Sequence, residues 1–121
     1  MQSPELDLDD RKPVWDVFQM FWMDTEPSDE LDAAIAVCAR SKYRLSDLEH
    51  IYWNEVYPVV SPNLSQPLPE WTGYDIEQLA ELILSKPNNF KVVKYRILHF
   101  SANNWWKKIA KGIKAHRDNG N

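Results

Sequence analysis

Residues 46–58 read Ser46-Asp47-Leu48-Glu49-His50-Ile51-Tyr52-Trp53-Asn54-Glu55-Val56-Tyr57-Pro58. The opening Ser-x-x-Glu has the form of a capping box, in which the Ser46 side chain accepts from a backbone N–H while Glu49 reaches back to the cap. Leu48, Ile51, Tyr52 and Val56 then recur at helical spacing, and Pro58 disfavours helical geometry in the residue before it, so the stretch predicts a helix ending at about Tyr57. Hairpin signals are nearly absent: the glycines are Gly73, Gly112 and Gly120, and Asn-Gly occurs only at the very end. The chain therefore reads as all-α, a compact bundle of about five to six helices with an ordered proline-rich loop over residues 58–74.

Two features of this helix bear on function. Glu55 projects from the apolar face, and a carboxylate there must be hydrogen-bonded or paired. The backbone N–H groups of the following loop, around Asn63 and from Trp71 to Gly73, are the expected donors, which makes Glu55 a structural latch between helix and loop. The opposite face carries His50, Trp53, Asn54 and Tyr57 at i, i+3, i+4 and i+7, aromatic and amide groups where charges are usual. Such a ridge is either an interface anchor or a surface covered by another helix, such as the C-terminal one.

Working outward, a helix is expected from Lys12-Pro13 to about Met23, with Val14, Phe18, Phe21 and Trp22 facing the core and Trp15 and Val17 at its margins. Ser28 is the expected cap of the next helix: Asp29, Glu30 and Asp32 suit its positive end, and Leu31, Ala34, Ile35 and Cys38 form one stripe. Cys38 then reads as a small buried hydrophobe. Pro58, Pro62, Pro67 and Pro69 lie in a passage too apolar to be a floppy linker, packed by residues such as Val59, Val60, Leu64 and Trp71. Asp75 caps a helix over about residues 76–86, with Ile76, Leu79, Ala80 and Ile83 inward. Phe90 to Phe100 mixes strand propensity with helical spacing, and helix is the reading taken. From Asn104, an expected cap, Trp105, Trp106, Ile109 and Ile113 separate from Lys107, Lys108, Lys111 and Lys114, which describes a basic amphipathic helix.

The 121 residues make a single domain, with 44% hydrophobic and 26% charged residues, able to bury a core without disulfides. No apolar run approaches the roughly 18 residues of a membrane helix, and no signal-like segment opens the chain, so no membrane partner is expected. A lone Cys38 and the composition point to a reducing, cytoplasmic setting. Charge is split along the chain. Residues 1–81 hold seventeen acidic and five basic residues, net −12, and residues 82–121 hold nine basic residues and Asp118, net +8. Either the acidic part meets a basic partner, or the basic segment folds back upon it.

Chemistry is thinly signalled. His50, His99 and His116 are scattered, no phosphate-cradling glycine loop or nucleophile elbow occurs, and neither metal nor cofactor is expected. Asp24-Thr25-Glu26 pairs two carboxylates, yet such residues between helices usually cap or turn, so no catalytic residue and no enzyme is expected. The basic C-terminal helix has lysines for phosphates and tryptophans for stacking. The acidic remainder repels a polyanion, which disfavours nucleic acid.

Lys12-Pro13-Val14-Trp15, Phe21-Trp22-Met23-Asp24-Thr25-Glu26, Glu55-Val56-Tyr57-Pro58-Val59-Val60-Ser61-Pro62-Asn63-Leu64 and Glu70-Trp71-Thr72-Gly73-Tyr74-Asp75 together resemble a family of short uncharacterised bacterial proteins. The resemblance covers about residues 11–86, is most specific in E-V-x-P-V-x-x-P-N-L and W-x-G-[FY]-D, and leaves the basic helical extension of residues 90–121 outside. It implies a compact bacterial domain and no catalytic residues. In role, a small acidic domain resembles the immunity proteins that neutralise a competitor's toxin. The expected partner is therefore a basic toxin or nuclease domain, a ribonuclease first among them, met by Asp24, Glu26, Asp29, Glu30 and Asp32 with the ridge His50, Trp53, Asn54 and Tyr57. A regulatory interaction module with another partner is the alternative, and nucleic-acid binding through the last helix the third reading.

Overall fold

The computed structural model describes residues 1–23, 30–64, 74–85 and 96–119, with the side chains of 1–21, 30–60, 74–85 and 103–118. Asp9 and Asp10 put two carboxylates in the first turn of α1, Leu8–Met23, where they meet the positive end of the helix dipole. A 3₁₀ turn, Pro4–Leu6, leads into it, and the Asp7 carbonyl accepts from the Arg11 N–H at 3.0 Å. The helix thus starts four residues before the expected Lys12-Pro13. Pro13 lies inside it and is exposed, so it forfeits one backbone hydrogen bond while Val14, Trp15, Phe18 and Phe21 bury the opposite face. Trp15, expected at the margin, is fully buried, and Trp22 lies outside the described side chains.

Helix α2, Leu31–Arg40, buries Ala34 and Cys38 and half-buries Leu31 and Ile35, the stripe expected from their spacing. The expected cap Ser28 lies outside the described residues. α3, Leu45–His50, is capped from Arg44 rather than Ser46: Asp47 Oδ2 accepts from the Arg44 N–H at 3.2 Å, and Ser46 and Glu49 are exposed. The helix thus starts two residues before the expected Ser-x-x-Glu box, with only the carboxylate half of a box present, since an arginine side chain has no acceptor for the Asp47 N–H.

α3 runs without a break into a π-helical segment, Ile51–Val56, and on into α4, Tyr57–Leu64. The expected stop before Pro58 is absent, and the first part of the expected proline-rich loop is helix; its remainder, with Trp71, lies outside the described residues. A proline has no N–H to donate and its ring crowds the carbonyl four residues back, here Asn54. The wider winding just before it, in which Tyr57 N–H bonds the Tyr52 carbonyl five residues back, lets the helix pass through.

α5, Ile76–Ser85, begins where Asp75 Oδ2 accepts from the Glu77 N–H at 3.2 Å, the expected cap, and buries Leu79, Ala80 and Ile83. Gln19 ties this start to α1, accepting from the Tyr74 N–H and donating to the Tyr74 carbonyl, both at 2.9 Å. α6, Arg96–Asn119, runs through Asn104 without a cap, so residues 96–100 are helical as read and Asn104 is an exposed interior position; residues 90–95 lie outside the described residues. Among the described residues there is no strand, and no helix is long and apolar enough to cross a membrane.

α1 packs against α2, α5, the π segment and α4, and α2 packs along α6. The Phe18 ring stands edge-on to Tyr52 at 5.2 Å, and Tyr52 lies 5.3 Å from Trp106, so α1, the π segment and α6 meet in one aromatic cluster. The α2–α6 approach depends on Gly112: a Cβ there would fall 2.1 Å from Ile35 Cδ1 and 2.7 Å from Cγ1. Gly112→Ala sets a gain in helix propensity of about 1 kcal/mol against overpacking of about 1–3 kcal/mol. It should lower stability in denaturant titration, and in an Ile35→Ala background its sign should reverse; a stabilising effect in both backgrounds means the helices are not held at this spacing.

Candidate functional site

Asp7 and Arg11, one helical turn apart, are buried together beneath the start of α1 (6% and 1% exposed). Arg11 donates to Asp7 Oδ2 at 3.0 Å, to Glu55 Oε2 at 3.1 Å and to the Gln2 carbonyl at 3.0 Å. The other oxygen of Glu55 accepts from Trp15 Nε1 at 2.9 Å. Lys42 Nζ reaches Asp7 Oδ1 at 2.6 Å and the exposed Asp10 at 3.1 Å, and the Tyr43 hydroxyl donates to Asp7. Burial pushes the Asp7 carboxyl up, but the bonds from Lys42 and Tyr43, with the Lys42 and Arg11 charges behind them, outweigh it and hold the group below its ordinary value. Burial, then the bond to Asp7, raises the Tyr43 hydroxyl above its usual range.

Glu55 is thus buried, as its place in the apolar stripe requires, and among the described residues its donors are Arg11 and Trp15 of α1, while the loop donors expected from Trp71 to Gly73 lie outside the described residues. The latch joins two helices. The Asp7–Arg11 spacing was a legible i, i+4 pair, hidden by the later helix start expected at Pro13; Lys42 and Tyr43 gave no sequence signal.

Of the residues expected to meet a partner, Asp24, Glu26 and Asp29 lie outside the described residues. Glu30 and Asp32 stand at the start of α2, Asp32 exposed and Glu30 half-buried. The ridge does not hold together. The π winding changes the helical phase and carries Tyr57 into the core, fully buried, while His50 and Asn54 stay exposed with Asn54 Nδ2 3.3 Å from His50 Nδ1. Trp53 is half-buried, its ring 5.0 Å from Tyr52 and 5.3 Å from Tyr57.

A different acidic surface emerges. Asp9 and Asp16 lie three and four residues from Lys12 on one exposed face of α1, and α5 lays Glu77 and Glu81 beside it. Lys12 is the cation within this stripe, paired with Glu77 at 2.9 Å. No sequence pattern revealed it, since α1 and α5 are brought together only by packing.

The described part of the basic segment, α6, folds back onto α2, and its hydrogen bonds there are to backbone carbonyls. Arg117 donates to the carbonyls of Cys38 (3.0 Å), Ala39 (3.2 Å) and Tyr43 (2.6 Å), satisfying the end of α2. Trp106, Ile109 and Ile113 are buried, while Lys107, Lys108, Lys111 and Lys114 are exposed, the expected two-sided helix. Lys108 lies over the Trp105 ring at 4.6 Å. Among the described residues no carboxylate pairs with these lysines, and no group of three or more His, Cys, Asp or Glu side chains is placed to hold a metal. Cys38 is buried, its thiol pushed up to about 12 by desolvation against the weaker pull of Arg117, so it stays protonated at neutral pH.

The chain matches, over residues 9–115, the family described as Domain of unknown function (DUF7079), and it belongs to that family. The match runs beyond the resemblance read over residues 11–86 and takes in most of α6. No curated protein and no solved structure matches it.

Removing Glu55 leaves Arg11 and the Trp15 N–H short of an acceptor inside the protein. Glu55→Ala should cost about 3 kcal/mol in denaturant unfolding, and Glu55→Gln nearly as much, because one amide donor must face Arg11 or Trp15. A cycle with Arg11→Met should return a coupling of about 1 kcal/mol or more; additive effects would show that the pair is not the latch. Asp7 has a folded value below its unfolded one, so its contribution is fully present above the ordinary 3.8 and disappears as pH falls through the folded value. The difference in thermal midpoint between wild type and Asp7→Asn should hold steady from about pH 7 to about pH 5 and then close in stronger acid. A difference unchanged down to about pH 2 would assign Asp7 no electrostatic part.

Proposed function

We propose that the protein is a cytoplasmic immunity protein, a non-catalytic inhibitor that binds a basic bacterial toxin domain, a ribonuclease first among them, and occludes its substrate-binding surface. The carrying observation is the stripe of Asp9, Asp16, Glu77 and Glu81 on α1 and α5, interrupted among the described residues by Lys12 alone and set on two helices tied together through Gln19. Nucleases that bind polyanions present cationic surfaces, and a complementary acidic face raises the rate of encounter with them and excludes substrate. The stripe replaces the ridge as the contact surface, because Tyr57 belongs to the core; Glu30 and Asp32 add to the long-range field.

An immunity gene is expected to follow its toxin gene, so the test begins with any domain encoded directly upstream of this one, and the absence of a toxin domain there counts against the immunity reading. The purified protein should bind that domain and abolish its RNA cleavage. Raising salt from about 0.05 to about 0.5 M should slow association tenfold or more with little change in dissociation, and Asp16→Lys with Glu81→Lys should do the same at low salt. Failure to bind or inhibit overturns the immunity reading. Tight inhibition indifferent to salt and to the charge reversals keeps that reading and removes the stripe from it.

A further inference from the structure

A groove of about 420 Å³ runs between α3 and α6, floored by Trp106 and Ala110, walled on one side by Lys107, Lys111 and Lys114 and on the other by Glu49. The three lysines recur at i, i+4 and i+7, spanning about 10 Å along the helix at 1.5 Å per residue. Their aliphatic stems extend the apolar floor and their amines form a positive rim that no carboxylate among the described residues neutralises. An occupant needs an apolar knob with acids close on either side and one cation for Glu49. A single-stranded nucleic acid fits worse: Glu49 repels its phosphates, and Trp106, 6% exposed, offers no face for a base to stack on.

This chain carries such a knob. Leu6 is 72% exposed, with exposed Glu5 before it, Asp9 and Asp10 after it, and half-exposed Lys42 against Asp10. The turn that presents it is already ordered: Leu6 N–H bonds the Ser3 carbonyl, Asp7 N–H bonds the Pro4 carbonyl, and Arg11 holds the Gln2 carbonyl, each at 3.0 Å. Docking therefore costs little ordering entropy. Among the described residues Leu82 and Leu84 of α5 are the other exposed leucines, at about half that exposure.

We propose that the α3–α6 groove receives the Leu6 turn of a second copy of this chain. Knob and groove are different surfaces, so the contact is heterologous and leaves a free knob and a free groove at the ends of each pair. The patch is small, and the association is weak and concentration-dependent.

Sedimentation of the full chain over about 10 µM to about 1 mM should show the average mass rising with concentration at low salt and returning to monomer at about 0.5 M salt. Leu6→Ser and Lys111→Glu alter exposed side chains and should leave the circular dichroism unchanged, and each alone should stay monomeric. Mixed, they should form a dimer and nothing larger, since one retains the groove and the other the knob. A wild type that stays monomeric throughout, variants that assemble like the wild type, or a mixture that stays monomeric each overturns the proposal. So does capture of single-stranded RNA that Lys111→Glu abolishes in a chain that does not self-associate.

Discussion

The guanidinium of Arg11 is held between the carboxylates of Asp7 and Glu55, almost wholly out of water. A charge in that position is tolerated only while its partners are in place, because burying it alone costs far more than any one pairing returns. The arrangement makes several parts of the chain depend on one another: the entry to α1 through Asp7 and Gln2, the α2–α3 connection through Lys42 and Tyr43, and the π segment through Glu55. Trp15 adds the second bond to Glu55 from the same helix as Arg11. The apolar core supplies the bulk of the stabilisation, and the buried ions select one register for α1 against the π segment, since a shift of one residue would strand a charge.

The π winding belongs to the same constraint. It sits where Glu55 must face α1 and where Pro58 forbids the ordinary bonding pattern one turn on. One local adjustment answers both. Its consequence for the surface is that Tyr57 turns into the core, and the aromatic ridge expected from a regular helix is broken into a half-buried Trp53 and an exposed His50–Asn54 pair.

Charge follows a related logic. α6 is anchored by its apolar stripe, by the close approach at Gly112 and by Arg117 on the carbonyls ending α2, none of which consumes a carboxylate. Among the described residues its lysines therefore pair with no carboxylate, and of the acids on α1 and α5 only Asp10, with Lys42, and Glu77, with Lys12, form ion pairs. The separation of charge along the chain becomes a separation of faces, and that polarity is what both functional proposals draw on.

The helical class, the apolar stripes of α1 and α2, the Asp75 cap and the division of α6 into tryptophan and lysine sides were legible in the sequence, because each depends on neighbours within a turn or two. So was the burial of Glu55, since helical spacing alone places it among Ile51, Tyr52 and Val56. The register of caps was less secure: Ser46 has the side chain of a cap, yet the path of the incoming chain starts the helix two residues earlier, where the Asp47 carboxylate takes the Arg44 N–H. What Glu55 binds was beyond local reasoning. Its partners lie 44 and 40 residues away, and nothing in the pattern around either end encodes the packing of α1 on the π segment. The same holds for the acidic stripe, which exists only because α5 lies against α1, and for the inward turn of Tyr57, which follows from a change of helical winding that no periodicity assuming a constant turn can contain.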